Sequence, residues 1–450
     1  MKRKKLVMLM AASAVALSLV ACGGSADSGV DEKEGTVTDL AEPDGAAESA
    51  GTADETVEIN MWSGMTGADA DVMQSMAGEF MEENPDIKVS FTSVTWSEMF
   101  TKWQQAFNSD LGPDVMMMHS TDICNYAPND MLMPLDEISS SLGIDSADYS
   151  EAAWAGVKNG GTLYGIPLDF HCMGVFKNVE MFEEAGLDPN MTFETEEDFL
   201  NACKALSDSE NGKYAVGIGS NYAHTYRYWY SLLYQFNGSF VNDDFTEAEF
   251  ASEEGKKALD WIAALPLELK YAPYNEQDID ADFLNGTCAM VIDGPWFIPT
   301  VLESGMEFTT TAFPQIGETP AVWANSHVVT LPVESGRSEK EQEAAERLLV
   351  WIIEHSYEWG SQSGQIPANA AVRESEEYKA SEVYPYVQAF VDQKDYIKYE
   401  PLCAGTAEFG ADNELSPVMS AVTNIVSGNT DDTMGELESA AKSVTNILNE

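Results

Sequence analysis

Strand and helix periodicities alternate from the first apolar segment of the folded region, and this order restricts the fold more than any other feature. Val57, Ile59 and Met61 alternate with polar residues, which indicates a strand. A helix is predicted over 68–83, where apolar residues recur at helical spacing and stop before Pro85, and alternation resumes at 87–91. A strand, a helix and a second strand in this order require a crossover, so the two strands pair in parallel. The predicted fold class is therefore α/β, with layered sheets covered by helices.

The same alternation continues along the chain. Short apolar strands are predicted at 115–118 and 173–176, and helical spacing recurs at 199–206, 258–265 and 345–352. A repeat of fixed period is absent from the sequence, which argues against a solenoid or a propeller. The region 56–450 exceeds the size at which one apolar core stops growing, so two lobes are expected.

The N-terminus has the features of an export signal: Lys2 to Lys5 are cationic, 6–20 is apolar, and small residues follow. The sequence 19–22 (LVAC) resembles the lipobox of bacterial lipoproteins. That resemblance implies that 1–21 is a signal peptide and that Cys22 carries a lipid such as palmitate; the alternative is an ordinary signal peptide with a chance cysteine. Residues 22–55 are rich in Gly, Ser, Ala, Asp and Glu and predict a flexible acidic linker. The expected location is the extracellular face of the cytoplasmic membrane, with membrane contact only through the lipid.

Composition excludes several partners and cofactors. The formal net charge is −53, which argues against nucleic acid as a partner and is typical of a surface kept soluble by charge. Beyond Cys22, the cysteines lack paired or metal-binding spacing, so most are interpreted as buried apolar residues with one disulfide possible. The five histidines also lack metal-ligand spacing, so neither a metal nor a cofactor is predicted. These histidines are His119, His171, His224, His327 and His355.

Catalytic motifs are not found in the sequence. The patterns GxSxG, GxGxxG and the P-loop do not occur. Asp278, Asp280 and Asp282 are spaced like a calcium loop, but Phe283 and Ala289 stand where that loop needs Gly and Glu. We interpret these aspartates as a solvated helix start. A glycoside hydrolase needs only two suitably placed carboxyl groups, which the sequence alone does not exclude.

A family resemblance rests on the order of five segments. Trp62 follows the first strand, and later come 113–115 (PDV), 164–167 (YGIP), 285–296 (NGTCAMVIDGPW) and 359–367 (WGSQSGQIP). This order is similar to that of the carbohydrate-type extracellular solute-binding proteins, the maltodextrin-binding class of ABC importers. The segment 285–296 is the most specific of the five, and the resemblance covers about 57–445.

The resemblance implies a two-lobe periplasmic-binding-protein-like fold. Each lobe is expected to be a mostly parallel sheet flanked by helices, and hinge strands join the two. By this analogy the first lobe holds about 57–166 and 316–368, and the second holds about 167–312 and 374–450. The crossings are expected near Pro167, Pro314 and Ala370.

The candidate ligand residues follow strands or crossings, where open sheets bind ligands. A sugar packs its C–H faces on aromatic rings and needs polar partners for its hydroxyl groups. Trp296 matches the stacking tryptophan of the family. An aromatic cluster at 226–230 is added, with core packing as the alternative for each residue. Trp323 and His327 lie on the return to the first lobe, where core packing is the favoured interpretation. The predicted ligand-binding residues are Trp62, Trp96, His119, Asp169, His171, Tyr226, Tyr228, Trp229, Trp296 and Trp323.

These observations predict a non-enzymatic, monomeric receptor that passes a carbohydrate to the permease subunits of an ABC transporter. The ligand is expected to be an oligosaccharide. Two alternatives stay open: a surface carbohydrate-processing enzyme, or the same fold with a polyamine, a peptide or a metal chelate as its ligand.

Overall fold

The structure, a computed structural model, describes residues 56–107, 111–219, 223–274 and 278–450. All of these residues belong to the same unit of the chain. The predicted signal peptide 1–21, the lipidated Cys22 and the linker 22–55 lie outside the described residues. Among the residues that are described, helices with the length and apolar composition needed to cross a bilayer are absent.

The strands of the described residues, in chain order, are β1 (Val57–Ser63), β2 (Ile87–Ser93), β3 (Val115–His119), β4 (Lys158–Asn159), β5 (Thr162–Leu163), β6 (Ile166–Pro167), β7 (Asp169–Cys172), β8 (Gly174–Asn178), β9 (Tyr214–Gly217), β10 (Cys288–Asp293), β11 (Phe308–Ala312), β12 (Val322–Asn325), β13 (His327–Thr330), β14 (Ile366–Pro367) and β15 (Ile397–Tyr399).

The α-helices are α1 (Ala68–Glu83), α2 (Trp96–Ala106), α3 (Ile123–Tyr126), α4 (Asp136–Ser141), α5 (Glu151–Gly156), α6 (Val179–Glu184), α7 (Glu196–Leu206), α8 (Ala223–Gln235), α9 (Glu253–Ala264), α10 (Ile279–Leu284), α11 (Ile298–Ser304), α12 (Glu339–Glu354), α13 (Ser356–Ser363), α14 (Ala370–Arg373), α15 (Glu376–Lys379), α16 (Tyr384–Val391), α17 (Thr406–Phe409), α18 (Pro417–Val426) and α19 (Thr433–Ile447).

The predicted strand–helix–strand unit at the start is confirmed. Strands β1 and β2 pair in parallel along their whole length, and α1 joins them. Helix α1 buries one stripe of small and apolar residues: Ala70, Met73, Met76, Ala77 and Phe80. Helix α12 begins with a capping box, in which Ser338 and Glu341 each satisfy a backbone N–H of the other. Local sequence signals therefore agree with the observed elements.

Three main sheets form the layers. The first has the order β2-β1-β3-β13-β6, the second β11-β8-β10-β9, and the third β14-β7-β12-β15. The first sheet is parallel across β2, β1 and β3, as predicted, whereas β13 pairs antiparallel with both β3 and β6. In the second sheet only β9 and β10 are parallel. The sheets are thus mixed rather than mostly parallel, because β13 runs against its neighbours in the first sheet and β8 runs against β10 and β11 in the second.

Two apolar cores divide the described residues. The first core surrounds the first sheet with α1, α2 and α12, and the second surrounds the other two sheets with α7, α8, α9 and α18. We call the residues around these cores the first lobe and the second lobe. The chain passes between the cores at Asp169, at 325–327 and between Trp359 and Ile366. These three passages are called the crossings below.

The cores refine the predicted lobe boundaries. The crossing at Asp169 lies close to the predicted one near Pro167. The second crossing differs, since Ile316, Val322 and Trp323 pack in the second core, although 316–325 had been assigned to the first lobe. Strand β12 pairs with β7 and β15 of the third sheet, which holds this segment on the second lobe. Sequence alternation alone does not show which of two adjoining sheets a short apolar strand joins.

Candidate ligand-binding site

A cavity of about 670 Å³ lies where residues of both lobes meet. It is found at the carboxyl ends of the parallel strands β1 and β3, the usual place for a ligand in an open α/β sheet. Backbone and side chains of several loops and helix starts form its walls. The lining residues include Gly64, Asp69, Trp96, His119, His171, His224, Arg227, Asp280, Trp296, His327, Gln365, Asp412 and Glu414.

Two tryptophans form aromatic walls of the cavity. Trp96 opens α2, and its ring lies against Gly64, where an added Cβ would stand 2.1 Å from the ring. Trp296 follows β10, and its ring covers Gly294 with an equally short distance to an added Cβ. Glycine is therefore required beside both rings, because any larger residue would displace them. Each indole keeps part of its surface exposed toward the cavity.

Three histidines form the floor, and we call them the histidine trio: His119, His171 and His327. His119 ends β3 and His327 starts β13, and the two face each other in the register of these strands. Their ring centroids are 5.0 Å apart, and the ring of His171 on β7 lies 4.6 Å from that of His327. The trio therefore comes from β3 and β13 of the first sheet and from β7, which begins at the first crossing.

The carboxylates of Asp169 and Asp412 contact the Nδ1 atoms of the trio. Asp169 accepts the backbone N–H of His327 at 2.9 Å and pairs with its Nδ1 at 2.8 Å; its second contact, to Nδ1 of His171, is 3.4 Å. Asp412 lies 3.1 Å from Nδ1 of His119 and accepts a hydrogen bond from Arg227 at 2.8 Å. Every ring of the trio thus has its Nδ1 beside a carboxylate.

The charges of these groups compensate each other. Burial alone would raise the pKa of the Asp412 carboxyl, but its contact with the His119 ring and the charge of Arg227 outweigh burial and hold this pKa well below its usual range. Burial also opposes ionisation of Asp169 and of His327, yet each charge favours the other: the pKa of Asp169 is lowered and the pKa of His327 is raised. His327 with Asp169 is therefore a buried ion pair, and Arg227 with Asp412 is a partly buried one.

The other cavity histidines are neutral. Burial lowers the pKa of His119, and burial together with the charge of His327 lowers the pKa of His171 to about 3. Burial and Arg227 lower the pKa of His224 to about 3 as well. Neutral imidazoles can donate and accept hydrogen bonds without adding charge to the cavity.

Helix α10 contributes a further carboxyl group to the cavity. Asp278 caps this helix by accepting the N–H of Ala281, which agrees with the predicted helix start. Asp280 was predicted to be solvated in the same way but lines the cavity instead. Burial and the nearby Asp293 raise the pKa of Asp280 to about 8. A protonated carboxyl group at this position can donate a hydrogen bond to a ligand oxygen.

Gln365 carries the clearest sign of a polar ligand. It lies in the third crossing, lines the cavity and is fully buried. Within the described residues, neither the nitrogen nor the oxygen of its carboxamide has a hydrogen-bond partner. A buried amide without partners costs about 1–3 kcal/mol. A ligand with both donors and acceptors would satisfy it.

Comparison with known proteins identifies the family. The sequence profile described as bacterial extracellular solute-binding protein matches residues 75–385, well over half of the chain. The chain belongs to the bacterial extracellular solute-binding protein family. The predictions of this family, of its two-lobe α/β fold and of a solute-binding role are thereby confirmed.

Individual relatives of this solute-binding protein are distant. The maltotriose-binding protein of Pyrococcus abyssi is 25% identical over 263 residues, which are 58% of this chain and 54% of that protein. The chain thus spans about half the length of that relative. The sn-glycerol-3-phosphate-binding periplasmic protein UgpB of Escherichia coli strain K12 is 21% identical over 71% of this chain and 76% of its own length. The maltose/maltodextrin-binding domain MalE of Bdellovibrio bacteriovorus, solved with maltotriose, shares the fold with a TM-score of 0.75, 19% identity, and coverage of 88% and 100%.

The structure brings four of the predicted site residues of the solute-binding protein to the cavity: Trp96, His119, His171 and Trp296. Asp169 is buried directly behind the trio. Trp62 is half-buried and packs against the first core. Trp323 is fully buried, with the guanidinium of Arg227 4.4 Å from its ring centroid. Asp169 and Trp323 thus position the lining residues rather than line the cavity.

The aromatic cluster of α8 requires a correction. Tyr226, Tyr228 and Trp229 do not line the cavity but are buried in the second core. The indole N–H of Trp229 donates to the carbonyl of Gly255, and Tyr228 donates to the carbonyl of Ile292. The helical period instead turns Ala223, His224 and Arg227 toward the cavity. Large rings filled the apolar side of the helix, and its polar residues face the ligand space.

Sequence reasoning missed several lining residues: Asp69, His224, Arg227, Asp280, Gln365 and Asp412. The sequence signal that could have identified Arg227 is its position as a cation within a largely apolar and aromatic helix. Asp412 lies in a loop after α17 and has no local signal. His327 was assigned to core packing, yet it belongs to the trio at the cavity floor.

Proposed function

We propose that this solute-binding protein captures a neutral carbohydrate, most simply an oligosaccharide, in the cavity between its lobes. The observation that carries the proposal is the combination of two partly exposed indole rings with the unpartnered carboxamide of Gln365. Aromatic faces suit the C–H surfaces of a sugar, and buried amides suit its hydroxyl groups. A purely apolar ligand would leave Gln365 unsatisfied.

The charge balance of the cavity favours a neutral ligand over an ionic one. Arg227 is paired with Asp412 and stacks on Trp323, so its positive charge is already balanced within the cavity. The charge of Asp169 is matched by His327, and Asp280 has a pKa of about 8. A polyamine would therefore find few uncompensated carboxylates near the trio. The strong negative charge of the chain as a whole is not repeated at the cavity floor.

The relatives support the same ligand class. One distant relative is a maltotriose-binding protein, and one solved structure with this fold holds maltotriose. The relative that binds sn-glycerol-3-phosphate suggests an alternative ligand class, a negatively charged phosphate ester. The paired state of Arg227 argues against that competitor here.

The proposed mechanism is closure of the lobes around the sugar. The crossings would bend while each core moves as a body, and the ligand drives closure only as far as it prefers the closed state. We infer that the closed, monomeric receptor delivers the sugar unaltered to the permease subunits of an ABC importer. We also infer that lipidated Cys22 anchors it at the extracellular face of the membrane. The family is one of binding proteins, which supports a receptor over an enzyme.

Calorimetry with four ligands tests this proposal: maltose, maltotriose, sn-glycerol-3-phosphate and spermidine. We expect maltotriose to bind at one molecule per chain with a micromolar dissociation constant, about −8 kcal/mol. The phosphate ester and the polyamine should give no saturable heat. Saturable binding of either of these, with no heat from either sugar, would contradict the proposal and identify the competing class.

A further inference from the structure

The histidine trio has the arrangement of a metal-ligand set. One ring nitrogen of each of His119, His171 and His327 lies within 4.8 Å of one from each of the other two. All three side chains are buried, and all three line the cavity. They come from positions far apart in the sequence, so their convergence is a property of the fold.

The hydrogen bonds of the trio leave the same atom of each ring for a ligand. Nδ1 of His171 and Nδ1 of His327 face Asp169, and Nδ1 of His119 faces Asp412. The contacts of these rings with carboxylates all use Nδ1, so Nε2 of each ring takes no part in them. Metal-binding histidines nearly always use one nitrogen for the metal and hold the other against a carboxylate or carbonyl. All three rings of the trio have one nitrogen against a carboxylate in this way.

We propose that the trio binds a divalent transition metal ion of the Zn²⁺ class through three Nε2 atoms at the floor of the cavity. Three imidazoles with one open position form a known ligand set for zinc, with Zn–N distances of about 2.0–2.1 Å. Such a centre requires ligand nitrogens about 3.4 Å apart, so the rings would reorient to bring their Nε2 atoms to this spacing. Where a ring is protonated, the ion takes the place of the Nε2 proton, which leaves to solvent.

Carboxylates lie beside the ring nitrogens of the trio and orient its rings, although their charges are balanced by His327 and Arg227. The carboxylates of Asp169 and Asp412 flank the trio, and Asp69 interacts electrostatically with His327. Arg227 donates a hydrogen bond to Asp412. The open coordination position would face the cavity, where water or a ligand oxygen can enter. This inference concerns only the ring nitrogens and does not depend on the carbohydrate proposed above.

The test is a titration of the protein, purified without a polyhistidine tag, with ZnCl₂ in competition with a zinc-binding dye. We expect one Zn²⁺ per chain, and His171→Gln should raise the dissociation constant at least about 100-fold. His355→Gln is the matched control, because His355 directly follows α12 and stacks on Trp351 outside the cavity. The control should leave the dissociation constant unchanged. Thermal unfolding of each variant shows whether it is folded.

A second measurement on the unmodified protein keeps the proposal falsifiable if the buried variant does not fold. Imidazole ¹⁵N spectra should show Nε2 shifts for His119, His171 and His327 at one equivalent of ZnCl₂. Zinc binding weaker than about 100 µM, an unchanged constant in folded His171→Gln, or shifts confined to His224 or His355 would each overturn the proposal. In that case the trio would serve only as hydrogen-bonding groups of the cavity floor.

Discussion

Replacement of Asp169 by asparagine is expected to lower the free energy of unfolding by about 3–5 kcal/mol, the usual cost of breaking a buried ion pair on one side. Asp169 is fully buried and joins all three crossings. Its oxygens accept the backbone and side-chain N–H of His327 and the indole N–H of Trp359 at 2.8–2.9 Å, and Nδ1 of His171 lies 3.4 Å away. Asparagine has one acceptor oxygen for these donors, and its amide would face one of them.

Equilibrium urea denaturation followed by circular dichroism measures this loss. Asp278→Asn is the matched control, since Asp278 is an exposed helix cap and asparagine caps helices equally well. The control should change the free energy of unfolding by less than about 0.5 kcal/mol. A loss below about 1 kcal/mol in Asp169→Asn would show that the crossings do not depend on this carboxylate.

The effect of Asp169→Asn should also depend on pH in a defined window. The pKa of Asp169 is lowered in the folded protein, so its contribution is present above the unfolded value of about 3.9 and is lost as the pH falls. The pKa of His327 is raised, so its contribution is present below about pH 6.5 and is lost as the pH rises through the folded value. The difference between the two proteins is therefore expected to be largest between about pH 4 and about pH 6.5.

Trp296→Ala is expected to weaken sugar binding about 10- to 100-fold, or about 1.4–2.8 kcal/mol. The ring is a wall of the cavity and lies 5.6 Å from the guanidinium of Arg227 and 5.4 Å from the ring of His171. Its removal takes away a stacking surface for the sugar and one of the rings that fix Arg227. Calorimetry with maltotriose gives the change in the dissociation constant.

Trp62→Ala is the control for this variant. Trp62 is also half-buried, but it packs against the first core and does not line the cavity. Its replacement should leave the affinity for maltotriose within about twofold of the starting protein. Equal losses in the two variants, or an unchanged affinity in folded Trp296→Ala, would remove Trp296 from the ligand site.

The order of strands and helices could be predicted because the local spacing of apolar residues determines it. The alternation at 57–61 and the helical stripe at 68–83 are set by which side of each element is buried, and the structure has these elements as β1 and α1. The second crossing was harder to predict. Segment 322–330 has apolar residues on both sides of the short polar run 325–327, so its sequence does not reveal that β12 and β13 belong to different sheets.

The candidate site was predicted only in part, for a physical reason. Trp96, His119, His171 and Trp296 follow strands or crossings, so topology alone placed them near the cavity. The histidine trio has no sequence spacing, since its members meet only after the two lobes and the first crossing have formed. Gln365 was named within a family segment, but its unpartnered carboxamide is visible only in three dimensions.

The most direct test of the central claim is equilibrium dialysis of the protein against radiolabelled maltotriose, followed by chromatography of the recovered sugar. The account predicts retention of one maltotriose per chain at saturation, with all of the label recovered as intact maltotriose. Recovery of the label in shorter sugars would show an enzyme. The absence of retention at millimolar sugar would contradict a carbohydrate ligand of this class.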